Sequence, residues 1–315
     1  MSILAEVPGF LQVFSDGSVL RLAPDHIAPA SPTESSIGYM SKDVIIDALK
    51  PVTARMFIPS TSGSRDSLPV LVYFHGGGFC IGSTTWYGYH HFLGDLCAAV
   101  RCIVLSVDYR LAPENRLPIA YKDCYSSLEW LGCCQSTEPW LDRANLSCLF
   151  MSGDSAGGNI AHQVAIMATQ DQVPGIQIRG IILIHPYFGS EKRTAEELAD
   201  GSASYVAMND LFWNLSIPEG SNRDYSGCNL EAAEISPEEW DRFPSVMVFV
   251  AGLDFLKERG VSYAEFMRKR GVKNVKLAEA EGEQHVYHVY HPKSEATRLL
   301  QKQMSDFMAA FGTKG

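Results

Sequence analysis

The sequence predicts an α/β fold in which a mainly parallel central sheet carries helices on both faces. Short apolar runs of strand length alternate with longer runs of helix length from residue 54 to residue 311. Such alternation is typical of parallel sheets, because the crossover between two parallel strands usually contains a helix. The 315 residues exceed an average domain, but α/β folds of this length form one domain, so we expect a single domain over residues 1–315.

The individual elements follow from the same alternation. Apolar runs predict strands at 54–58, 70–74, 102–108, 148–153, 178–185, 246–251 and 275–281. Longer runs predict helices at 89–99, 120–133, 157–169, 257–270 and 294–311. Gly271 follows the fourth of these helices and indicates a C-cap, because glycine readily takes the left-handed conformation required there.

Two segments, 1–40 and 187–243, fit the alternation poorly. The first precedes the first convincing core strand, and the second is much longer than an ordinary connection between strands. The second also contains large apolar residues, among them Phe212, Trp213 and Trp240. The two segments can be surface decoration, or together they can form a helical cap. We expect a cap over the functional site.

Residues 153–157 read Gly-Asp-Ser-Ala-Gly and lie between a strand-like run and a helix-like run. A sharp strand-to-helix turn exposes a serine hydroxyl at the top of a sheet, and the flanking glycines avoid collisions within that turn. The pentapeptide can also occur by chance in a loop. In this position it predicts that Ser155 is a catalytic nucleophile.

A second motif, His-Gly-Gly-Gly-Phe at 75–79, follows the predicted strand 70–74. Acyl transfer places negative charge on a carbonyl oxygen, and fixed backbone N–H groups stabilise that charge. Consecutive glycines leave such groups uncovered, so Gly77, Gly78 and Ala156 are the expected donors of an oxyanion hole. The alternatives are a simple glycine-rich turn and a phosphate loop, but no Gly-Lys-Ser/Thr follows, which excludes a Walker loop.

A serine nucleophile needs a base, and the base needs an orienting carboxylate. After a serine on this type of turn, the acid and then the histidine follow in the chain. His285 comes after the predicted strand 275–281 and a short loop, at the sheet edge where ligands gather in open α/β sheets. We expect His285 to be the base. His162 and His185 come too early in the chain, whereas His288 and His291 remain competitors.

Asp254 is the expected acid, because it follows the predicted strand 246–251 through Gly252 and Leu253 and so reaches the same edge. The alternative is that Asp254 caps the following helix. The spacing of His285, His288 and His291 also raises the possibility of zinc, but no cysteine or glutamate pattern accompanies them. We therefore expect neither a metal nor a cofactor.

The bulk composition excludes several classes of partner. The net charge of −10 disfavours nucleic acid and anionic membranes, and no 18-residue apolar span is present. The first residues lack the features of a secretory signal, so the eight cysteines are expected to be free thiols. We expect a cytoplasmic location, with the nucleus as a second one, and a small-molecule substrate. Nothing in the sequence indicates an oligomeric state.

Taken together, the motifs at 75–79, 108–114 (Asp-Tyr-Arg-Leu-Ala-Pro-Glu), 153–159 and 252–254, followed by His285, resemble those of plant carboxylesterases of the hormone-sensitive-lipase type. The similarity extends in order over roughly residues 8–311. It implies an α/β-hydrolase fold, an intracellular enzyme and the triad Ser155, Asp254 and His285. In that family the segment 108–114 mostly organises the scaffold.

The resemblance implies a serine carboxylesterase acting on a small hydrophobic ester, but relatives of other function share the scaffold. Isoflavanone dehydratases and alkaloid-forming cyclases leave a lyase or cyclase of plant specialised metabolism as the alternative. Gibberellin receptors lack the catalytic histidine, so His285 counts against a receptor. Aromatic residues near the active edge predict an apolar substrate pocket, although each can equally belong to the core. The pocket candidates are Phe79, Trp86, Phe188, Trp213 and Tyr287.

Overall fold

The computed structural model describes residues 2–22, 26–33, 38–60, 67–233 and 235–312. Within these ranges the strands are β1 (Ile3–Val7), β2 (Leu11–Phe14), β3 (Val19–Arg21), β4 (Tyr39–Asp47), β5 (Val52–Pro59), β6 (Leu68–Phe74), β7 (Ile103–Asp108), β8 (Ala144–Asp154), β9 (Ile178–Ile184), β10 (Ser245–Ala251) and β11 (Val275–Ala280). The helices are α1 (Tyr87–Val100), α2 (Ile119–Cys134), α3 (Ala156–Gln170), α4 (Ala195–Leu198), α5 (Ala203–Ser216), α6 (Pro237–Arg242), α7 (Lys257–Lys269), α8 (Tyr287–Tyr290) and α9 (Glu295–Gly312).

The central sheet has eight strands in the order β11-β10-β9-β8-β6-β7-β5-β4. Strands β6 to β11 are mutually parallel, β5 is antiparallel to β7, and β4 is antiparallel to β5. The predicted α/β fold with a mainly parallel sheet is therefore confirmed. Because parallel strands end at the same edge, the loops after β8, β10 and β11 are brought together there.

Each face of the sheet carries its own apolar layer. Along β6, Val70 and Val72 belong to one buried cluster, which includes residues of α2, α3 and α7. The alternate residues Leu71 and Tyr73 belong to the other cluster, which includes residues of α1 and α9. This alternation follows from the strand geometry, in which successive side chains point to opposite faces. Both faces are thus buried, as the continuous apolar runs of the sequence predict.

The strands and helices that the sequence predicts all occur, with ends that differ by a few residues. Gly271 has a φ of 85°, as expected of the residue that ends α7. Strand β4 was not predicted. It is an edge strand with a half-exposed surface, and polar residues such as Lys42 and Asp43 interrupt its apolar character.

The segments 1–40 and 187–243 meet beside the glycine motif. In the first, β1, β2 and β3 form a separate antiparallel sheet of three strands, and Tyr39 already begins β4 of the main sheet. The second contains α4, α5 and α6. Val7 and Leu11 of the small sheet share a buried apolar cluster with Cys80, Ile81 and Leu215 of α5. No helix within the described ranges is long and apolar enough to cross a membrane.

Candidate active site

Ser155 occupies the sharp turn between β8 and α3. Its backbone has φ 51° and ψ −118°, a region that residues other than glycine rarely adopt and that costs about 1–3 kcal/mol. The Ser155 N–H donates to the carbonyl of Ile184 at 2.9 Å, and the Ser155 carbonyl accepts from the Tyr187 N–H at 3.0 Å. These two hydrogen bonds to the end of β9 hold the strained turn in place.

The glycines on each side of Ser155 are required by close backbone packing. A Cβ on Gly157 would collide with the carbonyl oxygen of Phe74, the last residue of β6. A Cβ on Gly153 would collide with the carbonyl group of Gly157 itself. The turn therefore packs against the strand that leads into the glycine motif, and side chains at these two positions would separate them.

The glycine motif forms a tight turn whose N–H groups remain available. Gly77 and Gly78 have φ values of 106° and 57°. Within the described part of the chain, the N–H groups of Gly77, Gly78 and Ala156 donate to no acceptor. The turn is closed by the Ile81 N–H, which donates to the Gly77 carbonyl at 3.0 Å. Three unpaired N–H groups beside a serine are what an oxyanion hole requires, and this role for them stays a prediction.

The segment 108–114 packs against the glycine motif and is hydrogen-bonded to both ends of it. The Tyr109 hydroxyl donates to the carbonyl of His75 at 2.8 Å, and the two rings stack with centroids 4.4 Å apart. The Ala112 N–H donates to the carbonyl of Phe79 at 2.9 Å. Both ends of the motif are therefore tied to this segment, in agreement with the scaffolding role that the resemblance implies.

Asp154, which the sequence analysis did not single out, connects the serine turn to the glycine motif. Its carboxylate is fully buried and accepts hydrogen bonds from Tyr73 Oη (2.8 Å), Tyr89 Oη (2.9 Å) and the Gly76 N–H (3.1 Å). Burial raises the pKa of this carboxyl, and the two tyrosine hydroxyls oppose that effect. A carboxylate at the buried end of an apolar strand was the only sequence signal for this network.

Asp254 and His285 form a hydrogen-bonded pair. The Nδ1 atom of His285 lies 2.7 Å from Oδ2 of Asp254, while Oδ1 of Asp254 accepts from the Leu256 N–H at 2.8 Å. Asp254 therefore binds the histidine with one oxygen and the turn before α7 with the other. It does not cap α7, whose N-cap is Leu256 and which has no side-chain cap hydrogen bond. His288 is instead buried against Tyr73, with Nε2 3.3 Å from its hydroxyl. The role of His285 as the base stays a prediction.

In the pair of Asp254 and His285, each side chain favours the charged form of the other. Burial opposes the charged imidazole, but the Asp254 carboxylate and its hydrogen bond outweigh burial and raise the pKa of His285. Burial likewise opposes the charge of Asp254, and His285 outweighs it, so the pKa of Asp254 is lowered. The charge of Asp154, next to the serine, also raises the pKa of His285. The pair is therefore arranged to stabilise an imidazolium close to the serine turn.

Four of the five predicted pocket aromatics are packed into the interior. Phe79, Phe188, Trp213 and Tyr287 are buried, and only Trp86 is partly exposed. Trp213 stacks on Tyr187 with ring centroids 4.3 Å apart, and Phe188 stacks on Tyr263 at 5.1 Å. These contacts are typical of core packing, and a pocket role for the five residues stays a prediction.

The neighbouring residue Phe212, which the sequence analysis did not propose, lies at the glycine motif. A Cβ on Gly78 would collide with the Phe212 ring, so the two residues are in direct contact. On the same face of α5, Met208 and Tyr205 are 43% and 56% exposed. The Tyr205 ring stacks on Phe255, the residue after Asp254, at 5.8 Å. This apolar stripe of α5 therefore runs from the glycine motif to the loop of the acid.

The donor atoms around Asp254 and His285 do not suit a metal ion. Within the described ranges, His185, Asp254 and His285 offer atoms that lie within 4.8 Å of one another. However, the Nδ1 atom of His285 is engaged with Asp254, and the Nδ1 atom of His185 accepts from the Val286 N–H at 3.0 Å. Since a neutral imidazole has only one bare nitrogen, Nε2 of His185 carries a hydrogen. A metal would have to displace these hydrogen bonds.

A strained serine between a parallel strand and a helix, with the acid and histidine at the same sheet edge, defines the class of α/β hydrolases. A family model described as alpha/beta hydrolase fold matches residues 71–289. The chain belongs to this family and, within it, to the plant carboxylesterases of the hormone-sensitive-lipase type that the sequence resembles.

Individual relatives agree with this assignment. Probable carboxylesterase 6 of Arabidopsis thaliana is 39% identical over 271 residues, which cover 84% of this chain and 79% of that protein. A 2-hydroxyisoflavanone dehydratase of Glycyrrhiza echinata is 32% identical over 314 residues, 96% of this chain and 95% of that protein. Among solved structures, an esterase of Pyrobaculum calidifontis superposes with a TM-score of 0.73 at 26% identity, covering 86% of this chain and 84% of its own.

Proposed function

We propose that the protein is a serine carboxylesterase that hydrolyses a small hydrophobic ester through an acyl-enzyme. The observation that carries the proposal is the 2.7 Å hydrogen bond between Asp254 and His285, placed at the same sheet edge as the strained Ser155. The carboxylesterase and esterase relatives support ester hydrolysis as the reaction type. The intact pair of acid and base disfavours a receptor with an inactive site.

The proposed reaction follows from the roles of the three side chains. His285 Nε2 takes the proton of the Ser155 hydroxyl while the serine oxygen bonds to the ester carbonyl carbon. Asp254 stabilises the resulting imidazolium, which then gives its proton to the departing alcohol as the ester bond breaks. Water, deprotonated by the same imidazole, then attacks the acyl-serine, which releases the acid and restores the serine hydroxyl.

The N–H groups of Gly77, Gly78 and Ala156 stabilise the negative oxygen of both tetrahedral intermediates. Removing one such donor typically costs 10²–10³-fold in kcat, on the order of 3–4 kcal/mol. Their unpaired state supports this role, because no other group within the described ranges accepts from them. Two hydrogen bonds, from the Tyr109 hydroxyl to the His75 carbonyl and from the Gly76 N–H to Asp154, keep these N–H groups fixed during the reaction.

The substrate that we propose is apolar, uncharged and small. The stripe formed by Tyr205, Met208 and Phe212 on α5 supports this, because it presents exposed apolar surface between the glycine motif and the acid loop. The small sheet β1–β3 packs against α5 and the loop after the glycine motif. We therefore propose that segments 1–40 and 187–243 act as the cap and select the substrate. The predicted cytoplasmic location remains a separate prediction.

The second candidate function is a lyase reaction on the same scaffold. The 2-hydroxyisoflavanone dehydratase relative, similar over 96% of this chain, favours it. A base such as His285 can remove a proton from carbon as well as from a hydroxyl, and the oxyanion donors can stabilise an enolate. A cyclase of plant specialised metabolism would use the same groups.

Two assays test the proposal and separate it from the alternative. Purified protein should hydrolyse p-nitrophenyl acetate, and Ser155→Ala should abolish the hydrolysis. The same preparations should be offered 2-hydroxyisoflavanone, with product analysis by mass spectrometry. Dehydration that is much faster than ester hydrolysis and that persists in Ser155→Ala would favour the lyase. Absence of both reactions, with a folded protein, would contradict the proposed function.

A further inference from the structure

His185 lies at the end of β9, between the elements that carry the proposed triad. Its backbone N–H donates to the carbonyl of Phe249 in β10 at 2.8 Å, and the adjacent Ile184 carbonyl accepts from the Ser155 N–H. Its imidazole Nδ1 accepts from the Val286 N–H at 3.0 Å, and Val286 directly follows the proposed base. This one residue is therefore linked to the nucleophile turn, to the strand that precedes the acid, and to the loop of the base.

The loop that His185 contacts is strained. Val286 has φ 48° and ψ 35°, in the left-handed region, which is a genuine outlier for a β-branched residue. His185 itself has a φ of 48°. Such conformations cost about 1–3 kcal/mol each and persist only where surrounding contacts hold them. The hydrogen bond from the Val286 N–H to His185 is a contact of this kind, because it fixes the peptide that joins Val286 to His285.

His185 can act as a constant acceptor because it stays neutral. Its side chain is 1% exposed, and burial lowers its pKa to about 3, with His285 adding to the effect and Asp254 opposing it. A neutral imidazole with Nδ1 as acceptor carries its hydrogen on Nε2. The acceptor is therefore available at every pH at which His285 could serve as a base.

We infer that His185 is a positioning residue for the proposed base: its Nδ1 accepts the Val286 N–H and thereby fixes the loop that presents His285 to Ser155. This inference rests on the proposed function, because it takes His285 as the base. His185 touches neither substrate nor the transferred proton in this account. Its contribution is geometric, and a displacement of about 1 Å at a reacting group can cost on the order of 10²-fold in rate.

A matched pair of variants tests the inference. Asparagine places an oxygen close to the position of Nδ1, and leucine has a similar size without an acceptor. His185→Asn should retain kcat within about fivefold of the wild type, whereas His185→Leu should lose roughly 10–100-fold in kcat with little change in KM. Equal kcat values in the two variants, at equal content of folded protein by circular dichroism and Tm, would overturn the inference.

A measurement on the unaltered protein covers the case in which His185→Leu does not fold. Long-range proton–nitrogen NMR spectra of protein labelled with nitrogen-15 at histidine distinguish the two neutral tautomers. His185, assigned from the spectrum of His185→Asn, should be neutral with its hydrogen on Nε2 from pH 5 to pH 9. A hydrogen on Nδ1 would overturn the inference. This readout needs no catalysis, so a lack of esterase activity would contradict the proposed function and leave the tautomer result standing.

Discussion

The ring of Phe212 lies against Gly78, so that helix α5 directly contacts the loop proposed to bind the oxyanion. This contact joins α5, which contains none of the motifs described above, to the glycine motif at 75–79. It also distinguishes Phe212 from its neighbour Trp213, whose ring is fully buried and stacked on Tyr187. The two residues are adjacent in the chain but face different surroundings, and their substitution should have different consequences.

Phe212→Ala should change the preference among ester sizes, because it opens space next to the glycine motif. We expect the ratio of kcat/KM for butyrate over acetate esters to change by roughly 10-fold, the scale of one or two methylene contacts. Trp213→Ala is the control and should lower the free energy of unfolding by about 3–5 kcal/mol, as is usual for a buried tryptophan. An unchanged ester preference in Phe212→Ala would show that α5 does not select the substrate.

Gly78→Ala should reduce kcat by roughly 10²-fold, because its Cβ collides with the Phe212 ring and displaces a proposed oxyanion donor. The double variant Gly78→Ala/Phe212→Ala removes the colliding ring, leaves only the Phe212 Cβ at 3.0 Å from the added Cβ, and should recover at least tenfold in kcat. Steady-state kinetics on a short ester measure both values. If kcat of the double variant is no higher than the value expected from multiplying the fold-changes of the two single variants, the contact between Gly78 and Phe212 does not control the proposed oxyanion donor. Gly77 is less suited to this test, since a Cβ there would collide with the backbone of Ile81.

The pH dependence of kcat/KM should report the raised pKa of His285. The base must be neutral to accept a proton, so activity should rise with pH, and its midpoint should lie above the usual histidine value of about 6.5. Asp254→Asn removes the carboxylate that raises this pKa. The midpoint should move to lower pH in that variant, while kcat falls by on the order of 10⁴-fold. An unchanged midpoint in Asp254→Asn would contradict the assignment of the pair.

Asp154→Asn should impair both stability and activity. An amide nitrogen cannot accept from a hydroxyl, so the hydroxyl of either Tyr73 or Tyr89 would lose its carboxylate acceptor, whereas the Gly76 N–H also donates to Tyr89 Oη at 2.9 Å. The expected loss is about 1–3 kcal/mol in the free energy of unfolding, measured by denaturant titration. The kcat should also fall, because Gly76 precedes the proposed oxyanion donors. Tyr73→Phe, which leaves the Gly76 N–H bonded, is the matched control and should retain more activity than Asp154→Asn.

Much of the fold and of the candidate site could be predicted from the sequence, because the relevant signals are local. The apolar runs of buried parallel strands identify the sheet, and close backbone packing around Ser155 demands the glycines that mark the turn. Chain order then demotes His162 and His185, and the structure brings the side chains of Asp254 and His285 to hydrogen-bond distance. Their catalytic roles remain predictions that the kinetic tests above address.

What could not be predicted depends on contacts between distant parts of the chain. The choice between Phe212 and Trp213 depends on the rotation of α5 about its axis, which the sequence of this helix does not reveal. Chain order places His185 before Asp254 and so argues against it as the base, yet the positioning role that we infer for it arises from a hydrogen bond to Val286, 101 positions away. The buried role of Asp154 likewise depends on tyrosines from two other elements.

The most direct test of Ser155 as the nucleophile is the mass of the protein during turnover. Wild-type protein mixed with p-nitrophenyl acetate and quenched in acid should gain one acetyl group, and digestion should locate that group on the peptide containing Ser155. Ser155→Ala should show no acetylated species and should lose on the order of 10⁴-fold or more in kcat. Acetylation at another residue, or wild-type hydrolysis by Ser155→Ala, would contradict the proposed nucleophile.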